Sequence, residues 1–164
     1  MKQHKRLFIA CSIQADWPQQ FPPGKLLSVD NRHMTFAFLG MVDEEKIALL
    51  NDIPKVKFTH QPEGLFDKIL ALPKRRPRAM TYHACFTCEA DVIIDYQQRL
   101  VGWLRAHEFK TDSRPFLPHV TIARPPFKPG QWKHTFKPFP FRITGVHLYE
   151  SLGNRQYKKL LTFS

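Results

Sequence analysis

Two histidines, each followed two residues later by a threonine inside an apolar, β-prone run, are the residues whose types and spacing could do chemistry. His33 and Thr35 lie in Arg32–Gly40 (RHMTFAFLG), and His119 and Thr121 in Leu117–Pro125 (LPHVTIARP). Alternate side chains of a strand share a face, so each histidine and its threonine point the same way, roughly 7 Å apart. Two such strands facing each other would offer two imidazoles and two hydroxyls to one small polar ligand. Hydrolysis of a cyclic phosphodiester asks for such a set. A base activates water, an acid protonates the departing sugar oxygen on the opposite side of phosphorus, and donors meet the charge that builds on the non-bridging oxygens. Histidine suits either role because its reference pKa, about 6.5, lies near neutrality. Threonine hydroxyls can supply the donors. Arg124, three residues after Thr121, could bind a substrate oxygen bidentately or stack on a base. The scheme requires no metal and no nucleophilic residue, and no Asp, Glu or Cys stands at ligand spacing beside either histidine. Either motif alone would read as an ordinary strand histidine; the repetition in matching contexts carries the signal.

The surrounding elements must bring the two motifs together. Arg6–Ile13 (RLFIACSI) reads as a buried first strand, and Gln14–Gly24, with Pro18, Pro22 and Pro23, leaves room for a short helix at most. Leu26–Val29 leads into the first motif strand, which Gly40 ends. Asp43–Ile53 predicts an amphipathic helix with Asp43 as N-cap and Ile47, Leu50 and Ile53 facing inward. Val56–Thr59 and Leu65–Leu70 are strand candidates. Pro73–Arg78 (PKRRPR) is a basic turn, either a solvated loop or a phosphate contact. Met80–Thr87 is the next strand. The clearest helix is Ala90–Glu108, with Val92, Ile93, Tyr96, Leu100, Trp103 and Leu104 at helical spacing. Thr111–Pro118 is a loop, and Pro125 and Pro126 stop the second motif strand. Phe139–Ser151 and Gln156–Phe163 form a hairpin through Gly153 and Asn154. The layout is α+β, and one long helix plus one motif strand in each half suggests a pseudo-twofold duplication.

A chain of 164 residues suits one domain or two small lobes sharing a cleft. Its 43% apolar content excludes general disorder, and a formal charge of +11 favours anionic partners such as nucleic acid. Cys11, Cys85 and Cys88 cannot complete a disulfide framework, which points to a reducing compartment. Cys85 and Cys88 form a C-x-x-C without a second one, read here as incidental thiols and not as a metal site. No stretch has the length of a membrane span or the apolar core of an export signal. The expectation is a cytoplasmic monomer that contacts no membrane.

HMTFAFLG and HVTIAR resemble the paired motifs of the 2H phosphoesterase superfamily, specifically the RNA 2′,3′-cyclic phosphodiesterases, historically called 2′-5′ RNA ligases. The opening RLFIA, the run into FLG, Phe116 and Pro118 ahead of His119, and the late LYES match as well. The resemblance spans nearly the whole chain. It implies a single bilobal domain over residues 1–164, with two antiparallel sheets flanking a central cleft and helices outside. His33, Thr35, His119 and Thr121 would face that cleft. It also implies hydrolysis of 2′,3′-cyclic phosphate ends of RNA or nucleotides to 2′-phosphates, without metal or nucleotide cofactor. In the family's assignment of roles His33 protonates the leaving 3′ oxygen and His119 activates water, while Phe8 and Phe38 are the matching candidates to hold the base. The proline-dense Gln14–Gly24 departs from the longer, more helical stretch common in the family. Competing readings are ligation, which is the reverse reaction, hydrolysis of another cyclic or 2′-5′ diester, and a non-catalytic RNA-binding module built on PKRRPR and aromatic faces.

Overall fold

The computed structural model describes residues 3–58, 60–87 and 90–163. In chain order its elements are β1 (His4–Ala15), β2 (Lys25–Leu26), β3 (His33–Asp43), α1 (Glu44–Ile47), β4 (Glu63–Leu72), β5 (Ala79–Phe86), α2 (Ala90–Ala106), β6 (His119–Arg124), α3 (Pro129–Thr135), β7 (Phe139–Gly153) and β8 (Gln156–Thr162). From Leu7 to Cys11 no residue of β1 is more than 3% exposed, because Leu7, Ile9 and Cys11 enter the main core while Phe8 and Ala10 pack with Tyr149 on the other face of this doubly paired strand. Its apolar run, without polar alternation, is what such burial demands.

Every pairing is antiparallel, and the order β1-β3-β6-β5-β4-β7 returns to β1, with β8 on β7 and β2 on β6. The chain is therefore α+β, mostly antiparallel sheet with few helices. The strands form one hydrogen-bonded, barrel-like network where two separate sheets were expected. Two seams make the join. Glu63–Phe66 of β4 continues the ladder onto β7, and Met34 of β3 pairs with Val120 of β6. Between the seams lie two arms, β3-β1-β7-β8 and β2-β6-β5-β4.

The core fills one face of both arms. Ile93, Tyr96, Leu100 and Leu104 of α2 are each no more than 2% exposed, and Tyr96 meets Phe36 of β3 edge to face at 5.8 Å. Burial of such side chains contributes about 1.5–3 kcal/mol each. Helical periodicity placed all four correctly, whereas Val92 is 44% exposed and the helix ends at Ala106.

Other expectations shift. The helix foreseen over Asp43–Ile53 is a single α turn, α1, followed by a 3-10 stretch over Ala48–Asp52. Asp43 makes no side-chain cap; it still belongs to β3, and its carboxylate pairs with His4 at 2.5 Å. β3 runs past Gly40, whose φ of +68° glycine tolerates. Residues 55–58 lie in no strand, and Thr59 falls outside the described residues, as does Cys88 of the C-x-x-C. Helix α3 was not foreseen. Its seven residues are too few to show a period, and it is fixed by a proline near its start and by fully buried Trp132, which donates to the Pro23 carbonyl at 3.2 Å. Among the described residues no helix is long and apolar enough to cross a membrane.

Candidate active site

The two motif strands are built alike. Met34 and Val120, both fully buried, pair across β3 and β6. One step to either side, the antiparallel register sets His33 across from Thr121 and Thr35 across from His119. Alternation sends Met34, Phe36, Val120 and Ile122 into the core and the histidines and threonines the other way. Both strands then slip register at the same place. In β3, Thr35 faces Ala10 but Ala37 faces Ile9, so one residue is extra. Ala37 joins Phe36 in the core, and Phe38, 55% exposed, turns to the side of Thr35. In β6, Thr121 faces Thr81 but Ala123 faces Met80; Ile122 and Ala123 are both buried, and Arg124 turns to the side of Thr121. A bulge reverses the alternation in each case. His33, Thr35 and Phe38 therefore share one face, as do His119, Thr121 and Arg124.

Both imidazoles are anchored in the same manner. His33 Nδ1 donates to the Asn31 carbonyl at 2.8 Å, and His119 Nδ1 to the Leu117 carbonyl at 2.6 Å. A carbonyl only accepts, so the neutral ring carries its proton on Nδ1 and leaves Nε2 as the free acceptor. Burial pushes the His33 pKa down to about 4, against the pull of the Asn31 carbonyl, with His119 and Arg124 adding to the depression. Burial also lowers His119, with His83, Arg114 and Arg124 contributing. Arg124 thus bears on both rings, and its guanidinium lies 3.5 Å from the Arg78 carbonyl. Among the described residues neither the Thr35 nor the Thr121 hydroxyl is engaged in a hydrogen bond. An anion entering here would meet two free hydroxyls and a cation, and would favour protonation of the histidines.

Aromatic rings gather around His33. Phe8 lies 4.8 Å from the imidazole and stacks on Tyr149 at 5.2 Å, while Tyr157 stands edge-on to His33 at 4.9 Å. Phe38 is 6.1 Å from Phe8. Both sequence-derived phenylalanines come to the site in different settings: Phe8, 3% exposed, backs His33, and Phe38 stands at the rim. Sequence reasoning missed Tyr149 and Tyr157. Tyr149 lies in the LYES stretch and reaches the site because it faces Phe8 across β1 and β7.

Two polar groupings were also missed. Ser12, opposite His33, lies 3.0 Å from His147 Nε2 and 2.6 Å from the Thr144 hydroxyl, and His147 Nδ1 is 3.0 Å from the Thr162 hydroxyl. Burial, then Lys159, lowers the His147 pKa to about 4. In the other arm His83 faces His119 across β5 and β6, and its Nδ1 lies 2.7 Å from the Asp67 carboxylate. These residues are far apart in sequence and only strand register unites them.

No family model matches the sequence. The RNA 2′,3′-cyclic phosphodiesterase of Thermotoga maritima is 28% identical over 138 residues, covering 76% of this chain and 69% of that protein. The protein of the same name from Escherichia coli K12 is 28% identical over 147 residues, covering 76% and 74%. Among solved structures, E. coli LigT complexed with 3′-AMP superposes with a TM-score of 0.71 at 23% identity over 98% of this chain and 97% of that one. The protein TT0787 of Thermus thermophilus superposes with a TM-score of 0.66 at 21% identity over 96% of each. The structural likeness carries the fold, and the two relatives carry the name. Together with the paired His-x-Thr strands, these likenesses make the chain similar to the RNA 2′,3′-cyclic phosphodiesterases of the 2H phosphoesterase superfamily.

Proposed function

We propose that the protein hydrolyses RNA 2′,3′-cyclic phosphate ends to 2′-phosphates, with His33 and His119 as the acid and base. The observation that carries this reading is the local twofold about Met34 and Val120, which relates two imidazoles anchored through Nδ1 with Nε2 free. His119 Nε2 takes a proton from water as the water oxygen bonds to phosphorus. The bond from phosphorus to the 3′ oxygen breaks, and His33 Nε2 gives that oxygen its proton. The products are a 2′-phosphate and a 3′-hydroxyl. Two like rings do unlike work because one is neutral and the other protonated, and the substrate's negative charge favours that mixed state. Thr35, Thr121 and Arg124 donate to the non-bridging oxygens, where charge grows in the transition state. Phe38 holds the terminal base by stacking from the rim, whereas Phe8, buried behind His33, supports that wall of the site and does not meet the base itself.

The two arms act as the lobes of one domain over residues 1–164 and flank the cleft, with α2 outside. We take the active form to be a cytoplasmic monomer; the cysteines, which make no disulfide framework, and the basic charge support that setting. The direct test is incubation with cyclic-phosphate-ended RNA in EDTA and identification of the product isomer. A 2′-phosphate is expected. No hydrolysis, or activity that survives both His33→Ala and His119→Ala, would overturn the proposal.

A further inference from the structure

Apart from Asp67, which is held by His83 beside His119, carboxylates are absent from long stretches of the chain on the His119 side of the cleft. No Asp or Glu occurs between Asp67 and Glu89, which spans most of β4, the connecting hairpin and β5, and none between Asp112 and Glu150, which spans β6. The same stretches hold Lys68, Lys74, Arg75, Arg76, Arg78, Arg114, Arg124 and Lys128. Strand register concentrates several of these cations at one end of the cleft. β6 runs from His119 through Thr121 to Arg124, and Arg124 faces Lys25 of β2. The Arg124 guanidinium also touches the Arg78 carbonyl, at the root of the hairpin between β4 and β5, which the Arg78 amide closes onto the Leu72 carbonyl at 2.8 Å. Beyond that root, Lys74, Arg75 and Arg76 form the exposed hairpin tip. Among the described residues none of Lys25, Lys74, Arg75, Arg76 and Arg78 belongs to an ion pair.

We infer that this hairpin is an extended phosphate-binding platform, with Lys25 and Arg78 at its base, for the RNA strand leading to the cyclic end. The inference rests on the phosphodiesterase reading and adds the substrate class: a polynucleotide in preference to a mononucleotide. A nucleoside cyclic phosphate needs only the pocket of His33, His119, the threonines, Arg124 and the aromatic rings. An RNA chain carries further phosphates, one per nucleotide, and cations outside any ion pair adjoin Arg124 at Lys25 and Arg78 and continue along the chain into the hairpin tip. The platform reads charge and not base, so binding should be sequence-tolerant and strongly salt-dependent.

The test compares two substrates, a nucleoside 2′,3′-cyclic phosphate and an oligoribonucleotide ending in the same group. Each is given to the wild type, to a Lys74→Ala/Arg75→Ala/Arg76→Ala variant, and to a charge-matched control, Lys55→Ala/Lys57→Ala/Lys110→Ala. Lys55 adjoins Pro54, which accepts from Tyr96 of α2 on the core side of the sheet. For the hairpin variant, kcat/KM on the oligonucleotide is expected to fall at least tenfold while the mononucleotide value stays within twofold, and the control should match wild type. The salt slope of oligoribonucleotide binding, measured by fluorescence anisotropy, should become shallower by about 0.7 for each phosphate that the variant no longer neutralises. Equal loss on both substrates, no loss on the oligonucleotide, or an equal loss in the control would overturn the platform. If wild type hydrolyses neither substrate, the phosphodiesterase reading fails instead, and the anisotropy slopes still decide whether the hairpin binds RNA.

Discussion

Met34 and Val120 pair across β3 and β6 at the step about which the site is symmetric. Exchange of the two strands about this pair swaps His33 with His119, Thr35 with Thr121 and, because each strand bulges at the same place, Phe38 with Arg124. The symmetry holds for the histidines and threonines and breaks at the last position, where one strand offers a ring and the other a guanidinium. In the proposed reading, base recognition at Phe38 and phosphate recognition at Arg124 thus fall on opposite sides of one reactive centre. Since Met34 is fully buried, Met34→Ala should cost about 2–5 kcal/mol. Urea unfolding checks the cost, and activity should drop further than the folded fraction does.

Removal of either imidazole should lower turnover about 10²–10⁴-fold without unfolding the protein. The double variant His33→Ala/His119→Ala should be little worse than the more severe single one, because the proposed acid and base act in one step. Rates on a cyclic-phosphate substrate, with circular dichroism as the control for folding, measure both.

Thr121→Val and Thr35→Val keep the shape of the strand and delete one donor each, so kcat should fall about 10²–10³-fold with KM less affected. Phe38→Ala should act oppositely, raising KM through the loss of about 1–3 kcal/mol of base stacking while kcat changes less. A steady-state series on one nucleoside cyclic phosphate separates the two patterns.

The histidines give a pH signature with a definite sign. In the free protein His33 titrates near 4 and His119 below its usual range, so the kcat/KM optimum should lie on the acid side of about 6.5. Bound phosphate raises both pKa values, so the falling limb of kcat should sit at higher pH than that of kcat/KM. Titration of the His33 ring by NMR, with and without a nucleoside 2′-phosphate, tests the cause; a value at or above 6.5 in the free protein would contradict it.

Stability should follow the same groups. His33 and His147 have folded pKa values near 4, below the unfolded value of about 6.5, so between those limits the unfolded chain binds more protons. Stability is then complete above about pH 6.5 and declines as pH falls toward 4. His147→Gln should flatten the dependence of Tm on pH across this window.

Gly64 lies in β4 where the ladder crosses to β7. A Cβ there would stand 2.5 Å from the Phe141 ring and 2.6 Å from the Cys85 carbonyl. Gly64→Ala should destabilise by about 1–3 kcal/mol, read from the urea midpoint.

The sequence by itself determined which four polar side chains form the candidate site and which strands carry them. His33, Thr35, His119 and Thr121 were legible because a period of two puts a histidine and its threonine on one face wherever the strand lies. The inward positions of α2 at Ile93, Tyr96, Leu100 and Leu104 were legible for the corresponding reason at the helical period. The single α turn after Asp43 and the unforeseen α3 were not, since Asp43 bonds to His4 instead of capping and Trp132 is held by a contact with Pro23. Only the tertiary structure decided the closure of the strands into one network, the approach of Tyr149 and Tyr157 to His33, and the Asp67–His83 pair beside His119. It also decided which way Phe38 and Arg124 point, because simple alternation would have sent both into the core. Cross-strand register and bulges are set by partner strands far away in the chain, so no local pattern records them.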